Sequence, residues 1–130
     1  MRVAIVDTPF QMDHPDLVAN TVAGWDAVAN QPVTSGPGID HSTLGGGLVS
    51  AAANNGLGVA GVANCMILRI NGNGFRERTL QRRLLGREQW VRVVNISWTG
   101  ADSDALNAAG NYLKVQAHGL LVMAGENGSG

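Results

Sequence analysis

Asp7 and His41 are the residues of this 130-residue chain whose types and settings best suit acid–base chemistry. Asp7 ends a short apolar run, and His41 stands where small and apolar residues begin to recur at helical spacing. A buried carboxylate can fix the tautomer and orientation of an imidazole and stabilise its protonated form. The positive end of a helix helps to keep an imidazole neutral and ready to act as a base. Together, the two residues predict a general base that a carboxylate orients.

Each of these residues also has a common structural role. An aspartate at the end of a strand is often a turn or cap residue, and a lone histidine is usually structural. Asp40 is a rival partner for His41, but adjacent residues on a helix do not face each other. We therefore expect Asp40 to be the N-cap, and the catalytic interpretation depends on Asp7 lying within hydrogen-bonding distance of His41.

The elements that must position this pair are predicted from the spacing of apolar residues. Short β-branched runs predict strands at 2–7, 21–26, 66–70, 92–97 and 120–124. Amphipathic spacing predicts helices at 41–53, 75–90 and 102–118. For the last helix we expect Asp102 or Ser103 as the cap and Gly119 as the stop.

Strands that alternate with helices predict an α/β fold, a mostly parallel sheet with helices on both faces. Sites in such sheets lie at the carboxyl ends of strands. This rule selects three segments for the site: Asp7, 97–100 and 124–127. We also expect the small residues of the helix at 41–53 to allow close packing beside the sheet, which would fix His41 against Asp7.

Composition and charge limit the classes of function. The length suits one domain with a single core, and 45% of the residues are apolar while 15% are charged. The net charge of −1 gives no electrostatic reason to expect nucleic acid or an anionic membrane as a partner. Cys65 is the one cysteine, so no disulfide forms within the chain. No apolar run approaches the length that spans a bilayer.

Three further patterns favour structural interpretations. The letters GLGVAG at 56–61 match a dinucleotide-binding pattern, but a helix precedes them and a strand follows, the reverse of the order that such binding needs. The His-Pro-Asp triplet at 14–16 is one that J-domain co-chaperones carry between helices, but here it follows a strand and predicts a loop. The five arginines of 75–90 are expected to form a solvated helix face.

Four segments of the chain resemble the first part of a subtilisin-like serine protease domain. VAIVDTPFQMDHPDL (3–17) resembles the strand of the catalytic aspartate, and HSTLGGGLVSAAANNGLGVAGVA (41–63) resembles the helix of the catalytic histidine and its following loop. VRVVNISWTG (91–100) and GLLVMAGENGSG (119–130) resemble two later strands. The segments occur in the family's order and span nearly the whole chain. The resemblance implies a subtilisin-like fold, with residues 1–130 as a partial peptidase domain, and hydrolysis of polypeptide substrates.

The resemblance also implies roles for individual residues. Asp7 would be the aspartate of the catalytic triad, His41 the general base, and Asn127 the donor of a side-chain amide to the oxyanion. Substrate would bind between two walls, which are formed by Ser97, Trp98, Thr99 and Gly100 and by Ala124, Gly125 and Glu126. No cofactor is required for this chemistry.

A structural calcium site is a further implication of the resemblance. Its ligands would be the side chains of Asp16 and Asn55 and the carbonyl groups of Leu57 and Val59, all of them oxygen donors that suit calcium. The alternative at the same position is an Asn-Gly turn with no metal.

The chain departs from the family's pattern at several positions. Pro9 replaces the glycine after Asp-Thr, Ser42 replaces the glycine after the histidine, and Gly45-Gly46 replace Val-Ala. Glu126 stands where the family usually has the glycine that precedes the asparagine.

The nucleophilic serine is the largest departure, because nothing in the chain matches its G-T-S-x-A motif. We therefore expect a fragment of a serine endopeptidase that is inactive alone, whose partners are a polypeptide substrate and a prodomain or the remainder of the catalytic domain. The family's habit implies secretion, although the chain carries no signal peptide. The alternative function is that of a non-catalytic, protease-like domain that binds peptides.

Overall fold

The central strand of the fold is β1 (Arg2–Asp7), the apolar run that the sequence predicts to be buried. The computed structural model describes residues 1–26, 29–33, 41–63, 66–71, 91–97 and 103–125. The other strands in these ranges are β2 (Thr21–Asp26), β3 (Gln31–Pro32), β4 (Met66–Asn71), β5 (Val91–Ile96) and β6 (Leu120–Met123). The α-helices are α1 (His41–Ser50) and α2 (Ser103–Tyr112). The helical turns are a 3₁₀ turn, Val18–Asn20, and a π-helical turn, Leu113–Ala117.

The described strands form one sheet in the order β3-β2-β4-β1-β5-β6. Neighbouring strands run parallel except for β2 and β3. Since β4 and β5 flank β1 on opposite sides, the chain crosses from one half of the sheet to the other beside β1. Open parallel sheets bind ligands outside the carboxyl ends of their strands at such a crossing. The predicted α/β fold with a mostly parallel sheet is confirmed, and Asp7 lies at this crossing.

The core is built around β1 and the residues that follow it. Ala4, Ile5 and Val6 have no exposed surface, and Phe10 packs with Val3 and Ile5 in the same cluster. A parallel strand that is covered on both faces has to be apolar along its whole length. Full burial of a valine, isoleucine or phenylalanine side chain contributes about 1.5 to 3 kcal/mol to the stability of the fold. The backbone that carries Asp7 is therefore firmly anchored in the sheet.

Helix α1 is shorter than predicted and only partly confirms the packing interpretation. It ends at Ser50, three residues before the predicted end at 53. Its buried residues are all small: Ser42, Thr43, Gly46 and Ser50. These residues fit the expected close packing. At Gly45 and Gly47 an added Cβ would meet no neighbouring group within 4 Å, so close packing does not require glycine there and alanine would also fit.

The helix predicted at 102–118 also ends differently. Its α-helical part stops at Tyr112, and the π-helical turn carries the chain to Ala117. His118, and not Gly119, adopts the left-handed conformation that ends it, with φ of 48°. Gly119 has another reason to be glycine, since a Cβ there would overlap the carbonyl oxygen of Arg92 on β5.

One observed strand was not predicted, and one predicted helix is not among the described residues. β3 is a two-residue strand of exposed residues that the apolar pattern does not reveal. The helix predicted at 75–90 lies outside the described residues. Neither of the described α-helices has the length and apolar character needed to cross a membrane.

Replacement of Gly45 or Gly47 by alanine is expected to stabilise the protein. Glycine inside a helix costs about 0.5 to 1 kcal/mol relative to alanine because it loses more backbone freedom on folding. Gly45→Ala and Gly47→Ala should each raise the free energy of unfolding by that amount, measured by urea denaturation. Gly61→Ala is the control and should destabilise, because its Cβ would overlap the backbone of Ser50 and Ala51. Destabilisation by both helix variants would contradict the packing described for α1.

Candidate active site

The side chains of Asp7 and His41 form a direct contact at the carboxyl end of β1. The imidazole Nδ1 of His41 lies 3.0 Å from Oδ1 and 2.9 Å from Oδ2 of Asp7. Asp7 is the last residue of β1 and His41 is the first residue of α1. The side chain of Asp7 is 4% exposed, whereas that of His41 is 60% exposed. The carboxyl group is thus shielded by the fold while the ring lies at the surface.

This contact determines which ring nitrogen of His41 carries a proton. A carboxylate only accepts hydrogen bonds, so Nδ1 is the donor to Asp7. In the neutral ring Nε2 then has the lone pair and can accept a proton from another group. The arrangement is that of a histidine general base oriented by a buried carboxylate.

Thr8 also holds the carboxyl group of Asp7 in place. The backbone N–H of Thr8 donates to Oδ1 at 2.7 Å, and its hydroxyl donates to the same oxygen at 3.2 Å. Hydrogen bonds to a carboxylate are stronger than those between neutral groups. The role of Thr8 is not among the predictions from the sequence, although a hydroxyl residue directly after a strand-end aspartate is a signal for this contact.

The first turn of α1 is tied to the loop that follows β1 by two hydrogen bonds. The hydroxyl of Ser42 donates to the carbonyl oxygen of Pro9 at 2.6 Å, and the backbone N–H of Gln11 donates to the hydroxyl of Thr43 at 3.0 Å. Ser42 and Thr43 are both buried. In the sequence, Ser42 and Pro9 are two separate departures from the family's pattern. Their contact could not be predicted, because no local pattern connects residues 33 positions apart.

The ends of β5 and β6 bring two of the predicted substrate-binding residues to the same edge of the sheet. Val6 pairs with Ile96, so the next residue, Ser97, leaves the sheet beside Asp7. The backbone N–H of Ala124 donates to the carbonyl oxygen of Ile96 at 3.0 Å, which places Ala124 next to Ser97.

The remaining predicted site residues are placed only in part. The hydroxyl of Ser97 accepts a hydrogen bond from the side chain of Asn95 at 2.7 Å, so Asn95 supports this edge. Gly125 follows Ala124 and is exposed. The other predicted site residues at this edge lie outside the described residues, and their roles stay predictions: Trp98, Thr99, Gly100, Glu126 and Asn127.

The residues predicted to bind calcium lie together, but hydrogen bonds join them. The side-chain amide of Asn55 donates to Oδ1 of Asp16 at 2.7 Å, and the backbone N–H of Val59 donates to Oδ2 at 3.0 Å. The backbone N–H of Leu57 donates to Oδ1 of Asn55 at 3.0 Å. The two bonds to its carboxylate lower the pKa of Asp16 below its usual 3.8, the bond from Asn55 most and then that from Val59. Partial removal from water acts in the opposite direction, and nearby His14 lowers the pKa least.

The side-chain amide of Asn55 is not oriented to bind a calcium ion. Calcium needs several oxygen atoms that converge on one point, whereas Asn55 presents its amide N–H groups to Asp16 and turns its oxygen toward Leu57. Among the residues that the structure describes, no three His, Cys, Asp or Glu side chains are grouped to hold a metal ion. The calcium site stays a prediction, and the acid–base chemistry of Asp7 and His41 does not depend on it.

Known proteins with similar sequences are serine proteases. The sequence model of the subtilase family matches residues 1–130. Thermitase of Thermoactinomyces vulgaris is 31% identical over 135 residues, which cover 98% of this chain and 48% of thermitase. The thermophilic serine proteinase of Bacillus sp. strain AK1 is 31% identical over 138 residues, which cover 98% of this chain and 33% of that protein. The chain therefore spans about half the length of thermitase and about a third of the length of the Bacillus proteinase.

Solved structures with this fold are also proteases. Fervidolysin from Fervidobacterium pennivorans, a keratinolytic enzyme related to subtilisin, superposes with a TM-score of 0.79 and 25% identity, and the match covers 99% of this chain and 22% of fervidolysin. A protease from Pseudoalteromonas arctica superposes with a TM-score of 0.77 and 23% identity over 95% of this chain and 48% of that protein. The predicted subtilisin-like fold is confirmed.

Removal of the Asn55 side chain is expected to raise the pKa of Asp16. The Asn55 hydrogen bond stabilises the ionised carboxylate in the folded protein, so Asn55→Ala should move the pKa back toward 3.8. Carboxyl-carbon NMR titration measures this change. Because the folded-state pKa is lowered, the stability gained from ionised Asp16 is present above the unfolded pKa and lost as the pH falls through the folded one. The difference in unfolding free energy between wild type and Asn55→Ala should therefore shrink below about pH 4.

Leu57→Ala is the control for this experiment. It shortens an exposed side chain of the same loop and leaves the donors to Asp16 in place. The pKa of Asp16 should not change in this variant. An equal change in both variants would mean that loop packing, and not the Asn55 hydrogen bond, sets the pKa.

Removal of calcium is expected to leave the thermal stability of the chain unchanged. The side-chain oxygen atoms of Asp16 and Asn55 already accept hydrogen bonds from the protein. Melting temperatures with millimolar calcium and with EGTA should agree. A melting temperature that rises with the concentration of calcium would show that the ion binds the folded chain, with the amide of Asn55 turned around.

Proposed function

Since the chain belongs to the subtilase family, we propose that it supplies the aspartate and the histidine of a serine endopeptidase triad. The observation that carries this proposal is the contact of 2.9 Å between Nδ1 of His41 and the carboxyl group of Asp7. The exposed ring of His41 is accessible to a nucleophile and a substrate, while Asp7 is not. The nucleophilic serine would come from the remainder of the catalytic domain.

The proposed reaction is peptide hydrolysis through an acyl-enzyme. Nε2 of His41 takes the proton from the serine hydroxyl as its oxygen attacks the peptide carbonyl carbon, and Asp7 stabilises the imidazolium that forms. His41 then gives this proton to the leaving amine as the peptide C–N bond breaks. Water, deprotonated by His41 in the same way, releases the acyl group and restores the serine.

Stabilisation of the oxyanion is the role proposed for Asn127, together with backbone N–H groups. A side-chain amide at this point is complementary to the negative charge that develops on the carbonyl oxygen. In subtilisin, the reference case for this effect, loss of such an amide costs on the order of a hundred- to a thousandfold in rate.

The proposed substrate is an extended polypeptide that binds along the walls at 97–100 and 124–126. Ser97 and Ala124 support this role because both lie at the edge of the sheet that carries Asp7. An extended peptide can pair its backbone with such an edge, while pockets beside it select side chains.

The remainder of the catalytic domain is the partner that the exposed surface favours. On β6, which ends the described sheet, Leu120 is 66% and Val122 46% exposed. On α1, Leu44 is 61% and Leu48 70% exposed. Large exposed apolar side chains on an edge strand and on a helix next to the site favour cover by another part of a protein.

A prodomain and secretion are further parts of the proposal. The solved serine protease of Aeromonas sobria, which is 22% identical to this chain, forms a complex with a chaperone. That likeness shows the fold alone. We propose a prodomain as a partner of the complete protein, and a secreted location, on the family's habit.

The test is labelling with a fluorophosphonate, which reacts with activated serines. The 130-residue chain should not be labelled, whereas a chain extended by the downstream coding sequence should be labelled and should cleave peptides. In the extended chain, His41→Ala should lower kcat on the order of 10⁶-fold, the loss known for the triad histidine of subtilisin. His118→Asn, which preserves a residue tolerant of the left-handed conformation, should leave kcat unchanged.

Three outcomes would contradict parts of the proposal. Labelling of a serine within residues 1–130 would overturn the assigned roles. A His41→Ala variant with wild-type kcat would contradict the assignment of His41 as the general base. A folded extended chain without labelling, or a downstream sequence without G-T-S-x-A, would favour the non-catalytic peptide-binding function.

A further inference from the structure

We propose that Ser42 is a positioning residue whose hydrogen bond to Pro9 holds the first turn of α1 against the loop after Asp7. Its effect is to keep the His41 ring on the Asp7 carboxyl group. The proposal rests on the proposed function only for its catalytic consequence, since the positioning itself is a property of the 130-residue chain. Both residues stand where the family's pattern has glycine.

The hydrogen bond itself is short and fully buried. The hydroxyl of Ser42 lies 2.6 Å from the carbonyl oxygen of Pro9, and Ser42 has no exposed surface. A buried hydroxyl without a partner is unfavourable, so the serine is stable here because the carbonyl oxygen faces it. A glycine at position 42 has no group that could make this bond.

Pro9 adds stiffness to the acceptor side of the bond. Its ring restricts φ to a narrow range, which limits the directions that the backbone between Thr8 and Phe10 can take. Phe10, the next residue, is fully buried in the cluster with Val3 and Ile5. The carbonyl oxygen that Ser42 contacts is therefore held by a restricted residue and a buried one, and the two departures from the family's pattern act together.

The bond joins the residue after His41 to the second residue after Asp7. Ser42 follows His41 directly, and Pro9 follows Thr8, whose N–H and hydroxyl hold Oδ1 of Asp7. A shift of the first turn of α1 away from Pro9 would move the His41 ring away from the carboxyl group. The parallel bond between Gln11 and Thr43 holds the same turn one residue further along, so loss of the Ser42 bond should loosen the ring without releasing the helix.

The experiment measures the proton on Nδ1 of His41 by NMR in the 130-residue chain. In wild type this proton lies in the hydrogen bond to Asp7 and should give a low-field signal that exchanges slowly with water. In Ser42→Ala the exchange should become about three- to tenfold faster, the change that corresponds to the net contribution of one hydrogen bond. The measurement needs no nucleophilic serine, so its result is independent of the proposed protease activity.

Ser50→Ala is the matched control. Ser50 is also a serine of α1 without exposed surface, but it lies at the opposite end of the helix from His41. It should leave the exchange of the Nδ1 proton unchanged, whatever its effect on stability. Equal exchange rates in Ser42→Ala and wild type, or equal acceleration in Ser42→Ala and Ser50→Ala, would overturn the proposal.

Pro9→Gly decides the question if Ser42→Ala does not fold. This variant retains both the carbonyl acceptor and the serine but frees the backbone of the loop. The exchange should again accelerate, though less than expected for Ser42→Ala, and unchanged exchange would contradict the proposal. In an active extended chain, Ser42→Ala should lower kcat and leave KM unchanged, because the base is displaced and the substrate-binding edge is not.

Discussion

The carboxyl group of Asp7 is a polar group buried at the end of the apolar central strand, and the described site is arranged to satisfy it. A group that has lost its contact with water needs hydrogen-bond donors from the protein. Thr8 supplies two of them and His41 supplies the third. The need of the buried carboxylate for hydrogen-bond donors therefore also sets the orientation of the imidazole. If the His41 ring moved away, the Asp7 carboxylate would lose one of its donors, which is unfavourable for a buried group.

The unequal exposure of the pair follows from the topology of the sheet. β1 has a parallel neighbour on each side, so its carboxyl end is deep in the molecule, whereas α1 begins above that end at the surface. A histidine general base requires both features. The buried carboxylate holds the ring in a fixed orientation, and the accessible imidazole can contact the nucleophile and the substrate. The parallel ends of β5 and β6 complete the edge with Ser97 and Ala124.

Two places that the family resemblance singles out contain hydrogen bonds between residues distant in sequence. Around Asp16, the carboxylate accepts hydrogen bonds from Asn55 and Val59. Beside the catalytic pair, Ser42 and Pro9 replace glycines and contact each other. In both places a polar group that is buried by the fold is paired with a group distant in sequence, so neither pairing could be inferred from local patterns.

The sequence by itself determined the α/β class, the buried strand 2–7 and the candidate pair Asp7 and His41, because apolar periodicity and the position of polar residues at element ends are local properties of the chain. It also determined the family, since four segments with their own residue patterns occur in order. The tertiary structure alone decided the end of α1 at Ser50, the termination at His118, the role of Thr8, and which donors surround Asp16. The end of α1 and the donors around Asp16 depend on contacts between residues far apart in the chain, which become defined only when the sheet is assembled. The contacts of Thr8 and His118 are local, but they need a side-chain or backbone conformation that the residue pattern does not specify.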